Sequence, residues 1–188
     1  MSKISINYKL FLSLFIFAVV FIAAVFLVSD YYYLFIGLLL FLPLLDKNWT
    51  LPRLNLKPRL MLLWLLCVCI LSILLFLHPE QLQFVFMTIL LVALPEEWFF
   101  RAYLMTRLGK NIQGNIVSSI AFSLIHGVTR GWAVGVEVFI PSLLFGWLFQ
   151  KTDDLISCVL VHSISNLLFI LFINEYMGTI RSLFSYVR

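Results

Sequence analysis

Charge is scarce in this sequence. Only 12% of its 188 residues are Asp, Glu, Lys or Arg, against about 25% in soluble domains. With 63% hydrophobic residues and a mean hydropathy of +1.06, the chain reads as an integral membrane protein. Strict period-two alternation is missing too, and the apolar runs are continuous, which excludes a membrane barrel. Cysteine is sparse: Cys67, Cys69 and Cys158 are odd in number and fall within apolar runs. They lack zinc-ribbon spacing and read as small buried hydrophobes. No internal repeat or low-complexity segment is visible. The net charge of +4 is spread over loops, so it reads as topology information and implies no nucleic-acid partner.

What remains is a series of apolar runs: Leu10–Val28, Tyr31–Leu45, Leu60–Leu77, Gln83–Arg107, Asn115–Gly127, Trp132–Phe149 and Leu155–Ile173. A span needs about 20 residues, and the second and fifth runs are short. The expectation is an all-α, polytopic transmembrane bundle of about seven spans, within six to eight, forming one domain over residues 1–188. Lys3 and Lys9 before the first run resemble a signal peptide, but the run is long and lacks a small-x-small cleavage site. It reads as a retained helix. Tyr31, Tyr32 and Tyr33 suit an interfacial belt, and Asp46–Arg59 is the clear polar loop. Beyond Ile173, Tyr176, Ile180, Leu183, Phe184 and Val187 recur at helical spacing, with Arg181 and Arg188 off that stripe. Residues 174–188 are therefore expected to form an interfacial helix. With seven spans and the N-terminus inside, Lys3, Lys9, Lys47, Arg53, Lys57, Arg59, Arg107, Lys110 and Lys151 fall on the inner side. Arg130, Arg181 and Arg188 fall on the outer side. That asymmetry supports an N-in orientation in a bacterial or archaeal cytoplasmic membrane.

Against this background Glu96, Glu97 and Arg101 lie inside an apparent span. Each charge at mid-membrane costs roughly 2.5–3.5 kcal/mol on insertion scales, so such residues are functional candidates. Glu96 precedes Arg107 by 11 residues and His126 follows Asn115 by 11, placing both about 16 Å from the inner edge at 1.5 Å per residue. His162 and Asn166, counted from Asp154, are about 12 and 18 Å deep. Three helices thus bring Glu, His, His and Asn near one level. Glu97 and Arg101 are i,i+4 in the favourable ion-pair order. Glu96 points about 100° away from Glu97, toward the bundle interior. Pro95 is expected to kink the helix or restart it, and a restart would favour an ionised Glu96.

A carboxylate can act as general base toward water, imidazole can orient that water or transfer protons, and a second imidazole with an amide can stabilise an oxyanion. These are the parts of amide hydrolysis in a confined site. Glu96, His126 and His162 could equally coordinate zinc, which takes three protein ligands in catalytic sites, although the His-Glu-x-x-His motif is absent. Together, Glu96-Glu97-x-x-x-Arg101, Phe122-x-x-x-His126 and His162-x-x-x-Asn166 resemble the three signature motifs of the CPBP intramembrane proteases. This is the CAAX-protease and bacteriocin-processing group, also called Abi. The resemblance covers about Leu82–Ile173. It implies an intramembrane endopeptidase acting on a membrane-associated protein, with Glu96 activating water and His126 beside it. It further implies His162 and Asn166 at the oxyanion and Glu97 and Arg101 in support, whether by a glutamate or a metal mechanism. The chain is shorter than the larger CAAX enzymes. Some small members resemble partners of protein-sorting systems that cleave a membrane-anchored tail.

Other readings stand beside this one. The acids with Arg101 could be a structural ion cluster, His126 a helix cap, and His162 with Asn166 interhelical glue. Cys158 shares the face of His162, and a buried thiol is usually inert. Phe122 reads as packing. Glu137 is expected to pair with Arg130 near the outer boundary; otherwise it lines the cavity. Gly131 and Gly135 are expected to allow close helix packing. A non-catalytic immunity or scaffold protein of the same fold is one alternative function, and a small proton-coupled transporter is another.

Overall fold

The computed structural model describes residues 2–27, 31–52 and 54–185, with side chains for 8, 10–27, 31–52 and 54–172. Seven helices make up the bundle, with no strand among the described residues. They are α1 (Ser2–Leu27), α2 (Tyr32–Phe41, extended by a tight turn to Leu45), α3 (Pro58–Leu77), α4 (Pro79–Leu108), α5 (Ile112–Arg130), α6 (Trp132–Thr152) and α7 (Leu155–Ser185). Five contain a stretch long and apolar enough to cross a membrane, those in α1, α3, α4, α6 and α7. Each expected run is a helix. The stripe expected over 174–188 lies outside the described side chains.

The two helices missing from that set of five fail for different reasons. α2 is short. α5 is long but inverted: Asn115, Ser118, Ser119 and His126 are buried while Ile116, Val117, Ile120 and Leu124 are exposed. Lipid solvates aliphatic side chains, so the polar groups must find partners inside. Asn115 shows how: its Nδ2 donates to the Leu143 carbonyl at 3.0 Å. Gly146 makes room, since a Cβ there would sit 1.8 Å from Asn115 Oδ1. Gly135 likewise lets α6 approach α5, where a Cβ would lie 2.8 Å from the Ser123 carbonyl. Gly131 does not pack as expected. It has φ +101° and open space around it, and it turns the backbone from α5 into α6.

α4 runs through the centre. Phe99, Phe100, Arg101, Tyr103, Leu104 and Met105 are all buried. The expected restart does not occur, and this helix continues across Pro95. It accommodates the missing N–H by widening into π-helical stretches at Thr88–Ala93 and Trp98–Met105, with a regular α turn at Leu94–Glu97 between them. Such widened turns concentrate at functional sites. No helix terminus therefore stands at Glu96, and the expected dipole effect on it falls away.

Polar clasps close one end of the bundle. Arg107 donates to buried Asp46 through Nε at 2.7 Å and Nη2 at 2.6 Å, and Trp49 Nε1 donates to the Ala102 carbonyl at 2.9 Å. Lys110 pairs with Asp153. Asp154 caps α7 by accepting from Ser157 N at 2.8 Å and from Trp64 Nε1 at 2.7 Å. Cys67 and Cys158 are buried as expected. Cys69 is exposed, because α3 is peripheral and turns one face outward.

Candidate active site

Glu96 and Glu97 are neighbours with separate surroundings. Glu97, at 0% exposure, lies between two cationic or protonatable partners. Arg101 Nε is 3.2 Å from its Oε2, close enough for charge pairing but off the hydrogen-bond direction. His162 Nδ1 is 2.9 Å from its Oε1. Arg101 is itself held by Ser142 Oγ at 2.9 Å and Ser118 Oγ at 3.3 Å, and Ser118 in turn donates to the Phe100 carbonyl at 2.7 Å. The guanidinium lies over the Phe122 ring, 5.5 Å from its centroid. The pair expected from i,i+4 spacing is therefore present, and His162 joins it.

Glu96 instead faces both histidines. Its Oε1 is 3.8 Å from His126 Nε2 and its Oε2 is 3.7 Å from His162 Nε2. Both separations exceed a direct hydrogen bond. The other nitrogen of each ring is engaged. His126 Nδ1 is 3.1 Å from the Phe122 carbonyl, which can only accept, so Nδ1 carries the proton and a neutral ring presents Nε2 as an acceptor. His126 also packs against Phe122 in a tilted arrangement with centroids 4.3 Å apart, and His162 stacks on Phe145 at 4.8 Å. Packing thus fixes both rings.

Glu96, His126, His162 and Asn166 line one cavity of about 210 Å³, along with Phe122, Phe145 and Pro141. Asn166, one turn beyond His162, is half-buried on its wall. The structure therefore brings the four expected residues from three helices to one cavity, with Glu97 and Arg101 behind them. Arg130 and Glu137 line it as well, but no ion pair joins them, contrary to expectation. The turn at Gly131 separates their helices. Cys158 is buried, its Sγ donating to the Phe145 carbonyl at 3.7 Å. Among the described residues no three His, Cys, Asp or Glu side chains are grouped closely enough to hold a metal ion.

Sequence reasoning missed Ser118, Ser142 and Phe145. Ser118 had a signal, because Ser118, Phe122 and His126 recur every four residues on one face of α5. Ser142 and Phe145 had none in the apolar pattern of α6.

Residues 78–168 match the family described as type II CAAX prenyl endopeptidase Rce1-like. The matched segment is just under half of the chain and agrees with the CAAX-protease resemblance of the three motifs. No curated protein and no solved structure gives a match. All seven residues of the three motifs, Glu96, Glu97, Arg101, Phe122, His126, His162 and Asn166, fall inside the matched segment. At family level the match supports a CAAX-protease-type intramembrane endopeptidase acting on a membrane-associated protein, and the long apolar helices support an integral membrane protein.

Proposed function

We propose that Glu96 is the general base of a glutamate-type peptide hydrolysis, on a membrane-associated protein. The observation that carries this reading is the facing of Glu96 and His126 Nε2 at 3.8 Å across a cavity wall. Two acceptors at that separation, too far apart to bond each other, suit one water that donates a hydrogen to each. The water oxygen then presents a lone pair to the cavity. As it attacks the scissile carbonyl carbon, Glu96 takes one of its protons. The oxyanion forms beside Asn166, whose amide N–H donates, and beside His162 Nε2. Because Nδ1 of His162 donates to Glu97, Nε2 donates only when the ring carries both protons. The oxyanion role therefore belongs to the imidazolium, held between Glu97 and the active site. Collapse of the tetrahedral adduct breaks the C–N bond, and the leaving amine takes the proton from Glu96.

Glu97 and Arg101 act as positioning residues, fixing the ring of His162 as carboxylates do for other catalytic imidazoles. The N-terminus lies inside by the distribution of basic residues, in a bacterial or archaeal cytoplasmic membrane, and residues 1–188 act as one domain. A membrane-anchored sorting tail is a substrate that suits a site buried in the bundle.

The test compares protein termini by mass spectrometry in membranes from cells making the wild type or Glu96→Gln. New termini with the wild type alone are expected, and they name the substrate. Identical termini at equal expression would sink the reading and favour a scaffold or transporter. The purified enzyme should then keep its turnover after exhaustive chelation. Loss of turnover that zinc restores would reassign Glu96, His126 and His162 to a metal.

A further inference from the structure

The cavity has a charged rim that hydrolysis does not use. Arg130 is the last residue of α5, one helical turn beyond His126. Residues at i and i+4 share a face, so the guanidinium is rooted about 6 Å along the axis from the imidazole that faces Glu96. It lines the cavity holding Glu96 and also the smaller space on the other side of that carboxylate, beneath α2. Among the described residues it forms no ion pair and no hydrogen bond. By contrast, Arg101 and Arg107 of α4 are both ion-paired. Arg130 is exposed at the rim, and the cavity it lines also carries the apolar Val92, Val134, Val138 and Phe169. Beside such surface a charge interacts more strongly than in open water.

We propose that Arg130 is a substrate subsite that receives a carboxylate near the scissile bond, from the wall of the cavity that holds Glu96. This rests on the reading of Glu96 and His126 as the water-activating pair, which fixes where the scissile carbonyl sits. Glu137 faces the same cavity from α6. It repels the carboxylate from that wall and so directs it to the α5 side. The carboxylate can come from two sources, the terminal α-carboxylate of a peptide or an Asp or Glu side group.

Binding tests this without turnover. Full-length Glu96→Gln protein in lipid nanodiscs is titrated with apolar hexapeptides carrying a neutral dansyl label in three forms: free acid, carboxamide, and carboxamide with one Asp, each N-terminally blocked by the label. An anionic form is expected to bind about tenfold tighter than the neutral one, the scale of a hydrogen bond to a charged group. Adding Arg130→Gln should erase that preference, and Arg130→Lys should keep most of it. Tightest binding by the free acid identifies a terminal carboxylate; tightest binding by the Asp peptide identifies a side group. Equal binding of all three forms, binding by none, or a preference that survives Arg130→Gln overturns the proposal. A preference that depends on Arg130, in a protein whose wild type produces no new termini, would leave the subsite standing and remove the hydrolytic reading instead.

Discussion

Two adjacent glutamates have opposite fates here because a helix rotates each residue about 100° from the last. Glu97 is buried against Arg101 and His162, while Glu96 faces a cavity. Removing the charge of Glu97 strands Arg101 in the interior, so Glu97→Gln should cost roughly 3–5 kcal/mol, read as a lower thermal midpoint in detergent. Glu96→Gln should leave that midpoint near the wild type while turnover disappears. Replacing Glu97 and Arg101 together by Leu should recover much of the stability but not the turnover, since His162 stays unanchored. Recovery of both would show that the ion pair is structural only. The Glu97–Arg101 contact was legible because it lies within one helix. The bond from Glu97 to His162 was not, because it spans 65 residues and depends on how α7 is rotated. The Arg130–Glu137 pairing was expected from a common position near one boundary; both do line one cavity, but the turn at Gly131, with φ +101°, leaves them unpaired.

At the scale of elements, α5 carries the most information. Its inverted pattern, polar inward and aliphatic outward, was readable as a short span with His126 at depth. What the hydropathy could not show is the seat that α6 provides. Asn115→Ala removes the hydrogen bond to the Leu143 carbonyl and should cost about 1 kcal/mol. Gly146→Val should cost more, since even a Cβ overlaps Asn115 Oδ1. Asn115→Ala combined with Gly146→Ala should cost less than the sum of the single changes, as coupled neighbours do. Additive losses in thermal unfolding would deny the contact. The widened turns of α4 were illegible for a different reason. Pro95 announces a missing N–H, but whether a helix breaks, kinks or widens there depends on the packing around it. In this bundle burial on every side favours continuity.

Taken whole, the molecule has a second polar cluster away from its chemistry. Asp46, Trp49, Arg107, Lys110, Asp153 and Asp154 clasp one end, and the cavity opens elsewhere between α4, α5, α6 and α7. The composition disclosed the membrane class and the number of helices. It also presented Asp46–Arg59 as an ordinary polar loop, because the buried partner of Asp46 lies 61 residues away on α4. Asp46→Ala should therefore destabilise by about 3 kcal/mol through unpaired Arg107 and expose residues 46–57 to protease, without changing which termini the enzyme creates. Unaltered protease resistance would show that the clasp is dispensable. The arrangement of thiols also makes the protein a spectroscopic instrument as it stands. Cys67 and Cys158 are shielded and Cys69 is outward on α3, which packs against α7. A lipid-permeable thiol-reactive probe would then mark one position without mutation, on the neighbour of the helix that carries His162 and Asn166. Its signal would report any separation of α3 from α7 as a substrate enters.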